Sequence, residues 1–291
     1  MAQKNDSASW CALPSDLPEQ VHGCRDWGMI YRNRVMRQLL AIAALLWLPF
    51  FATAQSDIDF TADRPGESTG PEVLPKNRVQ WETGLGWGQY FGVDDFTVNT
   101  TLVRYGITKF AELRVGIDLI YSTFRNGGQS QMGVTALNVG TKIRIMEGEG
   151  AKPTLSAMAN FACPYIGSKE YVPDHLAPSL YLLFSNVVCD WMSIGYAVGA
   201  EWDGASAAPA TFWALTLDFA PVEKLGVFVE SFNRWYPTKE PLLNSHGVYS
   251  IDFGLSYMVH PKVQIDMAAI LNLQRPAQQH AISAGVAWQI N

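Results

Sequence analysis

From residue 79 onward the chain alternates between apolar and polar positions in runs of about ten to thirteen residues. In Phe110 to Tyr121, Leu113, Val115, Ile117 and Leu119 interleave with Glu112, Arg114, Gly116 and Asp118. Such a period of two places one set on each face of a β-strand. It returns in Thr135 to Arg144, with Leu137, Val139 and Ile143 against Asn138, Gly140, Lys142 and Arg144. It returns again in Tyr249 to Tyr257, with Ile251, Phe253 and Leu255 against Ser250, Asp252, Gly254 and Ser256. The last run sets Ile282, Ala284, Val286, Trp288 and Ile290 against Ser283, Gly285, Ala287 and Gln289. No stretch carries a convincing helical period. Twelve runs emerge: 79–90, 95–106, 110–122, 132–145, 153–162, 176–187, 191–202, 211–221, 225–236, 247–259, 262–273 and 280–290.

The connections alternate too. Tight turns such as Gly106-Ile107-Thr108-Lys109, Pro221-Val222-Glu223-Lys224 and His260-Pro261 take turns with longer loops at 123–131, 163–175, 203–210 and 237–246. An even number of strands, each near the roughly 9–11 residues that span a bilayer, with short turns at one end and long loops at the other, predicts an all-β, up-and-down antiparallel transmembrane barrel of about 12 strands. Aromatic residues near run ends (Tyr90, Phe91, Tyr105, Phe110, Trp191, Trp202, Trp235, Tyr236, Tyr257 and Trp288) suit interfacial girdles. Alternation alone also fits a soluble β-sandwich or lipocalin-like barrel, whose apolar face would point inward.

Composition shifts the balance towards the membrane. Only 16% of the 291 residues are charged, against about 25% in soluble domains. Residues 29–54 read as a secretory leader: Arg32, Arg34 and Arg37, then an apolar stretch from Leu39 to Phe51, then Ala52-Thr53-Ala54 ahead of Gln55. Residues 1–28 read as an upstream segment, an over-called start. Without the first 54 residues, 16 Lys and Arg face 23 Asp and Glu, which offers nucleic acid no basic surface. The expected location is therefore the outer membrane of a Gram-negative bacterium, with its lipid as the first partner. Residues 55–78 form a Pro-, Asp- and Glu-containing link that either stays in the periplasm or folds back into the lumen as a plug, where Asp63 and Arg64 could meet lumenal charges.

The order of several short motifs carries a resemblance. Asp59-Phe60-Thr61-Ala62-Asp63-Arg64-Pro65, Pro71-Glu72-Val73-Leu74-Pro75 and Val79-Gln80-Trp81-Glu82-Thr83-Gly84 are followed by Leu102-Val103-Arg104-Tyr105-Gly106-Ile107-Thr108, Val139-Gly140-Thr141-Lys142 and Val227-Phe228-Val229-Glu230. From about residue 57 to its end the chain resembles the outer-membrane barrel family described by the words "MetA-pathway of phenol degradation". The resemblance implies a barrel with a transport role. It also places Arg104 inside, where parity within 95–106 gives no clean face.

On the membrane reading the polar set faces the lumen: Glu82, Glu112, Arg114, Asp118, Lys142, Arg144, Glu201, Asp218, Glu230, Asp252 and Asp266, with Arg104 added by the resemblance. Such charges either fill the barrel as paired networks or set the selectivity of a pore. Gly84, Gly86 and Gly88 share one strand face and leave room for lumen contents. The strand count puts Cys163 and Cys189 at opposite ends of the barrel, so two free thiols are expected. His175, His246, His260 and His280 follow no metal spacing, and Ser245-His246 shows no third partner for a hydrolase. No cofactor is expected. The function read from the sequence is passive uptake of small solutes, aromatic or hydrophobic ones included, through a porin-like channel. The alternatives are a lumen-filled structural or surface-binding protein and, more distantly, a lipid hydrolase.

Overall fold

The computed structural model describes residues 60–90, 93–124, 128–240, 245–273 and 280–290. The upstream segment 1–28 and the leader 29–54 lie outside them.

The strands are β1 (Val79–Tyr90), β2 (Val93–Thr108), β3 (Ala111–Phe124), β4 (Gln131–Val134), β5 (Asn138–Met146), β6 (Thr154–Ala162), β7 (Ala177–Cys189), β8 (Met192–Glu201), β9 (Ala210–Val222), β10 (Leu225–Glu240), β11 (Ser245–His260), β12 (Val263–Asn272) and β13 (His280–Gln289). Consecutive strands pair antiparallel, except that β4 and β5 both pair with β3, and β1 pairs with β13, so the sheet closes on itself. Closure leaves no strand edge, which a barrel needs in order to satisfy its backbone inside a bilayer. β4 and β5 lie end to end along β3 and occupy one wall position, giving twelve staves.

The run expected as one strand over 132–145 is thus broken at 135–137. The cause is the loop after β6, which takes the hydrogen bonds of Ala136 and Leu137, while Thr135 N–H still donates to the Asp118 carbonyl of β3. Leu137 N–H donates to the Ile166 carbonyl, Ala136 N–H to the Tyr171 carbonyl, and Ser168 N–H to the Val134 carbonyl. Tyr171 Oη also donates to Ser122 Oγ (2.9 Å), which pins the loop against the inner wall.

Burial decides between the soluble and membrane readings. Leu85 is 62% exposed and Met267 56%, whereas Lys142 and Arg104 are 0% exposed. Soluble proteins almost never bury Lys or Arg while displaying rows of large apolar side chains. Here large apolar side chains cover the outside of the barrel and the charged set faces inward, as in a barrel solvated by lipid. Exposed Trp81, Tyr105, Phe110, Trp191, Tyr257 and Trp288 ring the short-turn end, and Tyr121, Trp235 and Tyr249 the other. The protein is an outer-membrane β-barrel, with its short turns on the periplasmic side by the usual orientation of such barrels.

One irregularity sets the inner face of β2. Thr97 pairs with Ile120 and Asn99 with Leu119, leaving Val98 as an extra residue. The bulge reverses side-chain parity: Phe96 and Val98 point out above it, and Val103, Tyr105 and Ile107 below it. That reversal turns Arg104 inward. The two thiols are free. Cys163 follows Ala162, which is level with Ala177, and Cys189 lies twelve residues further along β7. At about 3.3 Å per residue the two are roughly 40 Å apart, far beyond disulfide reach of about 7 Å.

Candidate functional site: the lumen and its re-entrant loop

Residues 60–78 fold into the lumen from the short-turn end. Near that end the Thr61 carbonyl accepts from Gln80 Nε2 (2.8 Å) and Arg104 Nη1 (2.9 Å). The chain then rises to Glu67, which meets Arg234 well up β10 (2.6 Å). It descends past Ser68, bonded to Glu230, and Pro71, whose carbonyl accepts from Ser156. Leu74 N–H donates to Glu112 (2.8 Å), and Asn77 N–H to the Gly106 carbonyl (2.7 Å) before β1 begins. The loop runs tight against the wall at Gly106, where a Cβ would lie 2.1 Å from the Pro75 carbonyl oxygen. Pro65, Pro71 and Pro75 stiffen the loop and bring no N–H that needs a partner.

Asp63 is the hub of its attachment. Its carboxylate accepts from Lys142 Nζ (2.8 Å) and from Arg114, and lies 3.4 Å from Arg104, while its backbone N–H donates to Glu82. Arg104 grips Glu112 with two nitrogens (3.0 and 2.8 Å) and reaches Glu82 (2.9 Å). Three acids of this cluster (Asp63, Glu82, Glu112) balance three bases (Arg104, Arg114, Lys142). Paired, forked geometry of this kind is what makes charge burial tolerable. Burial alone would raise the Asp63 pKa. The surrounding Arg104, Arg114 and Lys142 charges outweigh it and hold the carboxyl well below the usual range.

Two further anchors hold the rest of the loop. Arg64 reaches Asp266 (3.1 Å) by lying flat across Gly84 and Gly285, where any Cβ would strike its guanidinium. Glu67 pairs with Arg234, which also bonds Glu201 (2.9 Å) and stacks over Phe212 (5.1 Å to the ring centroid). Beside them Met158, Leu183, Ala197, Phe212, Ala214 and Phe232 form an apolar cluster on the inner wall of β6–β10.

Among the charged residues singled out by sequence, Glu82, Arg104, Glu112, Arg114 and Lys142 come together in the Asp63 network. Glu230 and Asp266 hold the loop directly, and Glu201 does so through Arg234. Asp118 accepts from Thr101 N–H and borders a cavity of about 550 Å³ towards the long-loop end, together with Arg114, Asn138, Tyr171 and Asp203. Asp218 borders a second cavity, about 280 Å³, between the loop and β7–β10. Asp252 borders a third, about 190 Å³, on the loop's other side. Arg144 stays out of the network, half-exposed and donating to the Lys109 carbonyl at the β2–β3 turn (2.9 Å). Its distance from the loop follows from its place near the end of β5. Glu67, Arg234 and Asp95 were not anticipated; the Phe-x-Arg spacing of Phe232 and Arg234 was the available sign for one of them. His246 Nδ1 lies against the Tyr236 carbonyl (2.8 Å) and its ring stacks on Trp235, so the nitrogen an orienting acid would hold is already engaged.

Residues 62–290 match the family model described as "Putative MetA-pathway of phenol degradation". The chain belongs to this family. No curated protein matches it. Among solved structures it is similar to an outer membrane channel from Pseudomonas putida F1, with a TM-score of 0.59 at 12% identity over 78% of this chain and 99% of that one. It is similar also to the NanC porin, with a TM-score of 0.52 at 9% identity over 72% of this chain and 100% of that one. A third is the KdgM porin in complex with disordered oligogalacturonate, with a TM-score of 0.51 at 10% identity over 72% of this chain and 99% of that one. At these identities the likeness is one of fold: this phenol-degradation family member has the barrel of outer-membrane channels.

Proposed function

We propose that the protein is a passive outer-membrane channel for small solutes, aromatic ones included, whose conducting path is controlled by the loop 60–78. The observation that carries this reading is the division of the lumen. Cavities lie above and beside the loop, and a set of polar bonds to the wall, with buried Val73 and Leu74 beside them, holds the loop in place. Both ends of the loop are at the same mouth of the barrel, so it can withdraw without any strand leaving the sheet. The aromatic solute class is supported by the family's description and by the 550 Å³ cavity, where Leu102, Ile117, Pro173 and Tyr171 adjoin Asp118 and Asn138. Mixed apolar and polar lining of this kind suits a ring bearing a hydroxyl.

The test is conductance in planar bilayers together with swelling of liposomes in phenol-sized solutes. Discrete channel openings and solute-driven swelling are expected. A purified, folded barrel that gives neither would sink the channel and favour the second reading, a lumen-filled structural protein. That alternative draws on the completeness of the Asp63 network, where each charged group meets an opposite one.

A further inference from the structure

Four arginines tie the loop to the wall, and three of them present the same edge to carboxylates. Arg104 sets Nε and Nη2 on Glu112, Arg64 sets the same pair on Asp266, and Arg234 divides them between Glu201 and Glu67. Arg114 does not. Its Nη1 alone carries the bonds to Asp63 and Glu112. Its Nε is buried without a partner, and no hydrogen bond joins its Nη2 to a described residue. The Arg114 side chain is 8% exposed, and it borders the cavity of about 550 Å³.

The wall beside that edge leaves it open. Arg114 pairs with Gly140 and Gly140 with Asn160, so arginine and asparagine stand two staves apart, about 10 Å, with no side chain between them. Asn160 leans into the gap, its Oδ1 lying 2.1 Å from where a Gly140 Cβ would be. One step up the barrel, Gly116 sits between Leu102 and Asn138, and a Cβ there would meet them only at 3.8 and 4.0 Å. Both asparagines border the cavity, and neither amide bonds a described residue. A guanidinium edge with two parallel N–H donors matches the two oxygens of a carboxylate. Leaving such donors unmet in a buried arginine is costly, which calls for an occupant of the cavity that meets them.

We propose that the Nε–Nη2 edge of Arg114 receives the carboxylate of a small aromatic acid, with Asn160 as a second donor and the ring laid over Gly116. The Asp63 cluster beneath is balanced between acids and bases, so a carboxylate arriving from above meets no net negative charge there. Asp118 stands four residues further along the same face of β3, with Oδ1 accepting from Thr101 N–H. At that end it can accept a ring hydroxyl and disfavours a second carboxylate. The cavity's volume lies within the roughly 300–1,000 Å³ of small-molecule sites. The inference rests on the channel reading for its solute class, and narrows that class from aromatic solutes to aromatic mono-acids.

The test reads binding apart from conduction. Benzoate, benzamide, phenol and acetate are titrated into the detergent-solubilised barrel and followed by saturation-transfer NMR, with protein-free micelles subtracted. Benzoate should saturate, and bind at least about tenfold tighter than the other three. Arg114→Lys keeps the charge facing Asp63 and loses the fork, while Asn160→Asp keeps the shape and sets a negative charge against the ligand. Each should weaken benzoate about tenfold or more. Arg144→Gln, at the β2–β3 turn, should leave it within about twofold. Variants are compared only where unboiled protein migrates as folded barrel, and Asn160→Asp suffices if Arg114→Lys does not fold. Benzamide, phenol or acetate binding as tightly as benzoate overturns the site. So does benzoate binding that Asn160→Asp leaves unchanged, or that Arg144→Gln weakens equally. A barrel that conducts without preferring benzoate loses the site and keeps the channel; one that binds benzoate without conducting loses the channel and keeps the site.

Discussion

Replacing Asp63 with Asn tests whether the charge cluster holds the loop. The substitution preserves shape and removes one negative charge from a set of three acids and three bases, so a buried cation loses its partner. Removing one member of a buried ion pair typically costs about 3–5 kcal/mol. The wall residues of the cluster stay anchored by the strand ladder, so the cost falls on docking of the loop and not on the barrel. At about 1.4 kcal/mol per tenfold change, the undocked fraction rises by roughly two to three and a half orders of magnitude. Trypsin can read this even when the undocked state is rare, because cleavage at Lys76 and Arg78, which are followed by Asn77 and Val79, tracks the open population when closing is fast. The expected result is at least a hundredfold faster cleavage in the loop, with an unchanged unfolding midpoint for the barrel and longer open events in bilayers. A cleavage rate within about twofold of the parent protein would refute the reasoning, since the carboxylate would then contribute no more than a solvated surface pair.

Acid should act through the same group. Its folded pKa is depressed, so its contribution to docking is complete above the ordinary carboxylate value near 4 and is lost only as pH falls through the folded value. Loop cleavage by an acid-tolerant protease should accordingly be insensitive to this carboxyl at neutral pH and accelerate only below about pH 4. Gly285→Ala would place a Cβ 2.4 Å from Arg64 Nε, displacing the guanidinium from Asp266; a cost of about 1.5–3 kcal/mol in docking is expected, visible as faster trypsin cleavage. Leu215→Arg puts a charge on the lipid face midway along β9 and should lower barrel stability in lipid by roughly 2–4 kcal/mol, measured by urea unfolding in vesicles. Both thiols should react with maleimide in the unfolded protein without prior reduction, and a Cys163–Cys189 link found by mass spectrometry would contradict the strand order.

Most of the barrel was legible because lipid and lumen impose a strict period of two. Turn positions and the outward face of β3, β5, β11 and β13 follow directly from it. Arg104 was not legible by parity, since one extra residue at Val98 exchanges the faces of β2 and nothing in the local composition marks a bulge. The break between β4 and β5 was hidden for another reason. Ala136 and Leu137 have ordinary strand chemistry and lose their pairing to a loop about thirty residues downstream, a tertiary competition that no window reveals. The place of residues 60–78 was equally open, because Asp63 and Arg64 read the same in a periplasmic linker as in a lumen. The inner wall is also less polar than alternation implies: Phe212 and Phe232 face inward and serve as the bed for Arg234, trading two polar positions for a cation–π contact.

Arg64 touches four staves at once: Thr100 on β2, Gly84 on β1, Gly285 on β13 and Asp266 on β12. The first and last strands to be synthesised meet at this point, and the guanidinium lies across their junction like a latch. Its complete set of partners therefore exists only after β13 has joined β1. The Asp63 cluster needs only β1, β2, β3 and β5, but the Arg64 contacts wait for the last strand, and their formation becomes a signature that the cylinder has closed.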